Sequence, residues 1–400
     1  MLNLLPTEVH QYSLGDVVRG LVATCGSDAG QHQIDLPGLG DGVPIRSARA
    51  AIILAIKALG LEKGSRVGVP LYCCPVVFKA VKMASCRVTF LDVDPTTFCI
   101  SREDLEAKSK NLDAIVPVHM FGNLCDMESV LQAARGKPVI EDCAQALGSR
   151  MNDRFAGSMG TLAVFSFRLG KYLSAGEGAA IYTKQAELYR RIEQLVSGIE
   201  RPSRSAEIKH VLESYLRSKL RSKPLWGLVG SSIWRLYNKR TDFADKSPVS
   251  IQTIYRSDYA IAQRRMTNLN QVIDKQRENA DYYIKNLRLD NPMLCHEKPG
   301  THYNRFMFPV IFSSAEQRVF MRDALRKQGV DSATPYEEAI EGAAKYYGYQ
   351  RDCPAAERLL KTTLVIPCHH RMTKREIEHI VDSFNAAWES MPFRESPRLP

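Results

Sequence analysis

The sequence predicts an α/β fold: a mainly parallel central sheet with helices on both faces, joined to a smaller α+β domain at the C-terminal end. Three observations predict it. Between about residues 45 and 183, short runs rich in β-branched residues alternate with helix-like stretches. Those runs are near-continuously apolar, as strands covered on both faces must be. The length of 400 residues, 44% of them hydrophobic, suits one large core and a second, smaller one. The expected division is a large domain over 1–250 and a small domain over 251–400.

The elements follow in order. Ser47 is a helix N-cap for the apolar stretch 50–59, and Gly60 stops that helix. Its N-terminus is placed before the first strand. Strands are expected at 66–69, 87–93, 114–118, 139–140, 162–167 and 179–183, with helices at 75–84 and 126–134 between some of them. Beyond residue 250, one long helix is expected over 260–287, with Leu269, Val272 and Ile273 on one face. A strand candidate follows at 305–312 and a helix at 315–329. The last helix opens on the capping box Thr373-Lys374-Arg375-Glu376, and Ile377, Ile380, Val381, Phe384 and Trp388 form its buried stripe.

Composition and charge exclude several classes. A charged content of 24% without biased tracts excludes disorder and collagen-like repeats. The N-terminus lacks a basic region followed by an apolar run, and no window holds eighteen consecutive apolar residues. Ten cysteines without a C-x-x-C pair fit a reduced, cytoplasmic chain, not a zinc knuckle or a disulfide framework. No metal site is expected, and His369-His370 reads as loop. The net charge of +10 is concentrated: residues 201–240 hold ten Lys/Arg against Glu207 and Glu213. Charge alone does not make a nucleic-acid binder, and no nucleic-acid module is present.

In parallel sheets the ligand lies at the carboxyl ends of the strands. Three segments fall there. In Val139-Ile140-Glu141-Asp142 an apolar strand runs into two acids; in Phe165-Ser166-Phe167-Arg168-Leu169-Gly170-Lys171 a strand precedes a lysine; Ser47-Ala48-Arg49 opens a helix. Singly, each has an ordinary explanation as a cap or a solvated side chain. Together they supply what pyridoxal phosphate requires. A lysine can form a Schiff base with an aldehyde, a carboxylate can hold a pyridine nitrogen protonated, and a helix N-terminus can bind a phosphate dianion.

These segments resemble the DegT/StrS-type sugar aminotransferases within the aspartate-aminotransferase superfamily, the fold type I enzymes. The densest match is Ile140-Glu141-Asp142-Cys143-Ala144-Gln145-Ala146 with Phe165-Ser166-Phe167 and Lys171; 90–95, 117–122 and 364–367 add to it. The resemblance implies that Lys171 carries pyridoxal 5'-phosphate and shuttles the proton, and that Asp142 bonds the pyridine nitrogen. It implies Gln145 at the ring hydroxyl, and Ser166 with the backbone of Ala48 and Arg49 at the phosphate. Many members have Gly-Thr where this chain has Ala48-Arg49. Their stacking aromatic aligns with Cys74, and Tyr72 is the substitute. The nearest match to the segment that members contribute from a partner subunit is Tyr255-Arg256-Ser257-Asp258. His119 matches a family histidine and reads equally as a satisfied histidine beside the sheet.

The implied activity is transamination, with L-glutamate as amino donor and a nucleotide-linked keto sugar as acceptor, for polysaccharide or glycan biosynthesis by a homodimer. The alternatives are a cyclitol aminotransferase, a sugar dehydratase or lyase (dehydratases resembling this family replace the lysine with histidine), and a non-catalytic cofactor-binding regulator. The basic insertion, 201–245, carries Ile208, Val211, Leu212, Tyr215, Leu216 and Leu220 at helical spacing, then Trp226 and the run 233–237. It is expected to pack its apolar side on its own domain or a dimer partner. The other readings are peripheral contact with an anionic membrane and attraction of a diphosphate at the substrate entrance.

Overall fold

The computed structural model describes residues 4–26, 33–233, 249–289, 293–295 and 297–392. Residues 234–237, part of the aromatic run noted above, lie outside them. The first half contains α1 (Leu14–Cys25), β1 (Ile34–Leu36), β2 (Gly40–Ile45), α2 (Ala48–Ala58), β3 (Arg66–Pro70), α3 (Val76–Met83), β4 (Arg87–Leu91) and α4 (Arg102–Lys108). It continues with β5 (Ala114–Ile115), α5 (Met127–Ala134), β6 (Ile140–Asp142), the short pair β7 (Arg150–Met151) and β8 (Arg154–Phe155), and β9 (Leu162–Ser166). Then come β10 (Ala179–Tyr182), α6 (Ala186–Ser197), α7 (Arg204–Leu220), α8 (Arg256–Met266) and α9 (Leu269–Asn286). The chain ends with β11 (Thr301–His302), β12 (Phe308–Ile311), α10 (Ala315–Lys327), α11 (Ala339–Tyr347), α12 (Pro354–Thr362), β13 (Thr363–Ile366) and α13 (Lys374–Glu389).

Strands β4, β3, β5, β6 and β9 lie side by side and parallel, with bridges at Ile115–Val139 and Val118–Asp142 joining β5 to β6. β10 departs from the parallel expectation: it pairs antiparallel with both β9 and β2. The reason is the connection from β9 to β10, a helix-free turn that carries Lys171 and cannot make the crossover a parallel partner needs. β1 and β2 precede α2, so that helix does not come before the first strand. The first, IDL, is too short and the second, GDGVPI, too rich in Gly and Pro to read as a strand.

α2 forms as expected. The Ser47 hydroxyl accepts the Ala50 N–H, and residues 50–56 are all buried against the sheet and its covering helices. A helix apolar on every side belongs in the interior.

The helix expected over 260–287 is two helices, broken at Thr267 and Asn268. The break lets the two parts serve different cores. Ile261, Ala262, Leu269 and Ile273 pack with Phe165 and Tyr303, whereas Ala280 and Tyr283 pack with Phe308 and Phe384. α8 also lies against α1 and β1, so packing is continuous across residue 250 and changes along α9. β12 pairs antiparallel with β13, more than fifty residues later in the sequence. The Thr373–Glu376 capping box is present. Among the described residues, no helix is long and apolar enough to cross a membrane.

Candidate active site

Strand sense decides which residues meet. β10 runs opposite to both neighbours, so β2 runs with β9 and β6. Ala179 pairs with Ser166 on one side and Ile45 on the other, which brings the end of β9 beside the start of α2. Asp142, paired with Val164, ends β6 at the same edge. A tight turn follows β9: the Leu169 and Lys171 amides donate to the carbonyls of Gly176 and Arg168. Gly170 sits there at φ +87°, where a Cβ would lie 3.3 Å from Glu8 Oε2.

Lys171 is half-buried, with Nζ 4.4 Å from the centre of the Phe306 ring. Among the described residues Nζ makes no hydrogen bond. Burial, reinforced by the Arg168 guanidinium, lowers its pKa from the ordinary lysine value to about 8. A substantial fraction of the amine is therefore neutral near physiological pH. Asp142 is buried, and the one described donor to its side chain is the Ala144 amide, 3.0 Å from Oδ1. Burial raises its pKa; the Ala144 amide, Lys171 and His119 oppose that rise.

Gln145 is buried and locked in place. Its Oε1 accepts the Phe121 N–H at 3.1 Å, and its Nε2 donates to the Tyr336 hydroxyl at 3.2 Å. Ser166 is half-buried and makes no described side-chain hydrogen bond. Ala48 and Arg49 are the first two residues of α2, where amides have no carbonyl in a preceding turn. Burial lowers the Arg49 pKa. This set fits a phosphate-bearing aldehyde: an unengaged amine, a buried carboxylate with spare acceptor capacity, and a helix N-terminus beside a free hydroxyl.

Tyr72 stands apart from the set. It is fully buried with its ring against Phe98, Phe121 and Tyr336, so no face is open for stacking. Cys74 is the one residue of 70–75 that is not buried. His119 is a satisfied histidine. Its Nδ1 accepts the Cys125 N–H at 3.1 Å, and its Nε2 donates to Glu141 at 3.0 Å. Glu141 also accepts from the amides of Gly157, Met159 and Gly160. Burial pushes its carboxyl pKa up, but these donors bring it below the ordinary value. His119, Glu141 and Cys143 fall within 4.8 Å of one another, but hydrogen bonds already use both ring nitrogens.

The segment Tyr255-Arg256-Ser257-Asp258 is engaged within its own chain. Arg46 lies 3.2 Å over the Tyr255 ring, Arg256 pairs with Glu207, and Asp258 binds His210 and the Glu177 amide. The cleft over Lys171 recruits residues that no motif announced, among them Glu8, Gln11, Gln276, Phe306, His369 and His370. His369-His370 is loop, as expected, but it faces this cleft. Burial depresses the two imidazoles to about 3 and about 4, so both are neutral. His370 bonds Gln11, and Asn279 donates to the His369 carbonyl. Period and spacing cannot find such residues, because they converge from opposite ends of the chain.

The model of the DegT/DnrJ/EryC1/StrS aminotransferase family matches residues 35–220 and 255–385. The chain is 27% identical over 352 residues to the UDP-N-acetyl-3-dehydro-alpha-D-glucosamine 3-aminotransferase of Acidithiobacillus ferrooxidans, covering 86% of this chain and 84% of that one. It is 36% identical over 156 residues to the L-glutamine:2-deoxy-scyllo-inosose aminotransferase of Streptomyces fradiae, covering 38% and 37%. The X-ray structure of an aminotransferase from Psychrobacter cryohalolentis superposes with a TM-score of 0.73 at 20% identity, over 96% and 99% of the two chains. That likeness is one of fold.

Proposed function

Because the chain belongs to the DegT/DnrJ/EryC1/StrS aminotransferase family, we propose that it moves an amino group from L-glutamate to a nucleotide-linked keto sugar, using pyridoxal phosphate held at Lys171. The observation that carries the cofactor assignment is the Lys171 amine, lowered to about 8 and unengaged, at the sheet edge that Asp142, Ser166 and the start of α2 share. The amides of Ala48 and Arg49, with the Ser166 hydroxyl, would hold the phosphate. Asp142 would hold the pyridine nitrogen protonated, and Gln145 would face the ring hydroxyl. When bound, the cofactor supplies an electron sink for a carbanion at the substrate carbon. Lys171 Nζ would take the proton from that carbon and deliver it to the cofactor's own carbon across the C=N bond, a task for an amine with a pKa near the working pH. The turn after β9 places the Lys171 backbone at that edge.

The A. ferrooxidans relative, a UDP-sugar aminotransferase alike along most of the chain, supports the nucleotide-sugar acceptor. The S. fradiae relative, more alike over a shorter stretch, favours a cyclitol ketone as the second reading. A panel of keto-sugar nucleotides and inososes, assayed by conversion of glutamate to 2-oxoglutarate, separates them. Turnover with an inosose and with no nucleotide sugar would overturn the first reading. Light scattering of the purified chain tests the homodimer that goes with it.

A further inference from the structure

Two helices of this protein are built inside out. α7 buries Glu207, His210, Ser214 and Ser218, with Val211 the one buried aliphatic side chain among its described residues. Its aliphatic stripe faces away: Ile208, Leu212 and Leu216, one helical step of four residues apart, are 40, 53 and 59% exposed. α1 repeats the arrangement. It buries Asp16, Gly20 and Thr24, while Leu14, Val18 and Val22 are 64, 62 and 67% exposed. The helices lie antiparallel, since the Tyr12 N–H donates to Ser218 Oγ and Gly20 faces Val211. Of the insertion's apolar side, Val211 and Tyr215 pack on the domain, whereas the stripe of Ile208, Leu212 and Leu216 does not.

This inversion is concentrated in one region. Of the twelve exposed large hydrophobic residues among those described, ten lie on α1 or between 208 and 233. A soluble surface does not normally gather them so. The inner faces are held by polar pairs: Glu207 with Arg256, His210 with Asp258, and Asp16 with Arg265. Rotating either helix to bury its stripe would break those buried pairs.

The charge around the stripes selects the occupant. Exposed bases on the two helices are Arg19, Arg204, Lys209, Arg217 and Lys219; Glu213 is the one exposed acid, and it pairs with Lys209. At 100° per residue, Arg204, Lys209 and Lys219 border the α7 stripe. A second copy meeting this face about a twofold axis would set these bases against themselves. An anionic bilayer surface satisfies both features: aliphatic side chains enter the acyl boundary and the bases meet lipid phosphates.

We propose that the outer faces of α1 and α7 form a docking surface for an anionic lipid bilayer. On its inner side α7 braces the cleft wall: Ser218 bonds the backbone at residues 10 and 12, and Arg221 pairs with Glu8 at 3.2 Å. Docking thus places the bilayer one helix away from the segment lining the Lys171 cleft. The proposal does not depend on the chemistry at Lys171.

Co-sedimentation of the full chain with phosphatidylcholine–phosphatidylglycerol vesicles, against phosphatidylcholine alone, tests it. The wild type should pellet with the anionic vesicles and be released by salt. The double substitution Leu212→Glu/Leu216→Glu should weaken binding at least about tenfold. Lys209→Glu/Lys219→Glu, which removes an exposed ion pair with Glu213 and a cation–π contact with Tyr215 but no buried side chain, should weaken it as well and keeps the test valid if the first variant misfolds. Equal binding by wild type and both variants, or no binding by the wild type, would overturn the proposal. So would a dimer in light scattering that Leu212→Glu/Leu216→Glu dissociates while vesicle binding is absent, because the face would then join two copies.

Discussion

At the scale of single residues, burial sets the chemistry. Lys171 is shifted by burial first and by Arg168 second, and the sign of that shift is testable. Below pH about 8 the amine is mostly protonated and unreactive; above it the neutral form dominates. The rate at which cofactor-free protein combines with pyridoxal phosphate should rise with pH and level off near 8. An unperturbed lysine would keep gaining roughly tenfold per pH unit towards 10. Arg168→Ala should move the midpoint upward, since it removes a positive neighbour. Lys171→Ala should abolish the cofactor absorbance on the order of 400 nm. If that variant still gave a borohydride-reducible adduct, Lys171 would not be the attachment point. Asp142→Asn should retain the cofactor but lose at least about a hundredfold in turnover, because an amide cannot hold the ring nitrogen protonated; unchanged turnover would remove Asp142 from that role.

At the scale of elements, α2 links local sequence to function. Ser47 satisfies the Ala50 amide, and Ala48 and Arg49 lie between them in the first turn. Ser47→Ala should cost about 1 kcal/mol in denaturant unfolding. It should also raise the cofactor's dissociation constant by fluorescence titration, since the cap orders the helix end proposed to hold the phosphate. A stability loss with unchanged affinity would separate the cap from the pocket. β6 shows the other use of an element. Its alternation sends Glu141 to one face, where four donors hold it, and Asp142 to the other, where one does. Adjacent acids thus become a structural hub and a functional candidate.

At the scale of the whole molecule, the cleft is a junction. Its walls come from the N-terminal segment, the turn after β9, α9, the residues just before β12, and β13 with the loop after it, so a ligand there ties together cores that the chain builds separately. Saturating pyridoxal phosphate, at about a hundred times its dissociation constant, should stabilise the fold by about 2.7 kcal/mol. Scanning calorimetry should show this as a higher Tm for the wild type and little change for Lys171→Ala. An equal rise in both would place the stabilising site elsewhere.

The sequence by itself determined the α/β class, the capped α2, most of the sheet strands and the Asp142–Lys171 spacing. All of these rest on local period, capping chemistry or a short motif, and need no knowledge of distant contacts. Only the tertiary structure decided that β10 turns antiparallel, that Tyr72 belongs to an aromatic core, and that His369-His370 faces the cleft. It also decided which way α7 faces. Helical spacing showed that Ile208, Leu212 and Leu216 share a side, but that side points outward because buried Glu207 and His210 find Arg256 and Asp258 within the protein. A pattern along one helix names the residues that lie together, and the partners across the fold determine which face is turned inward.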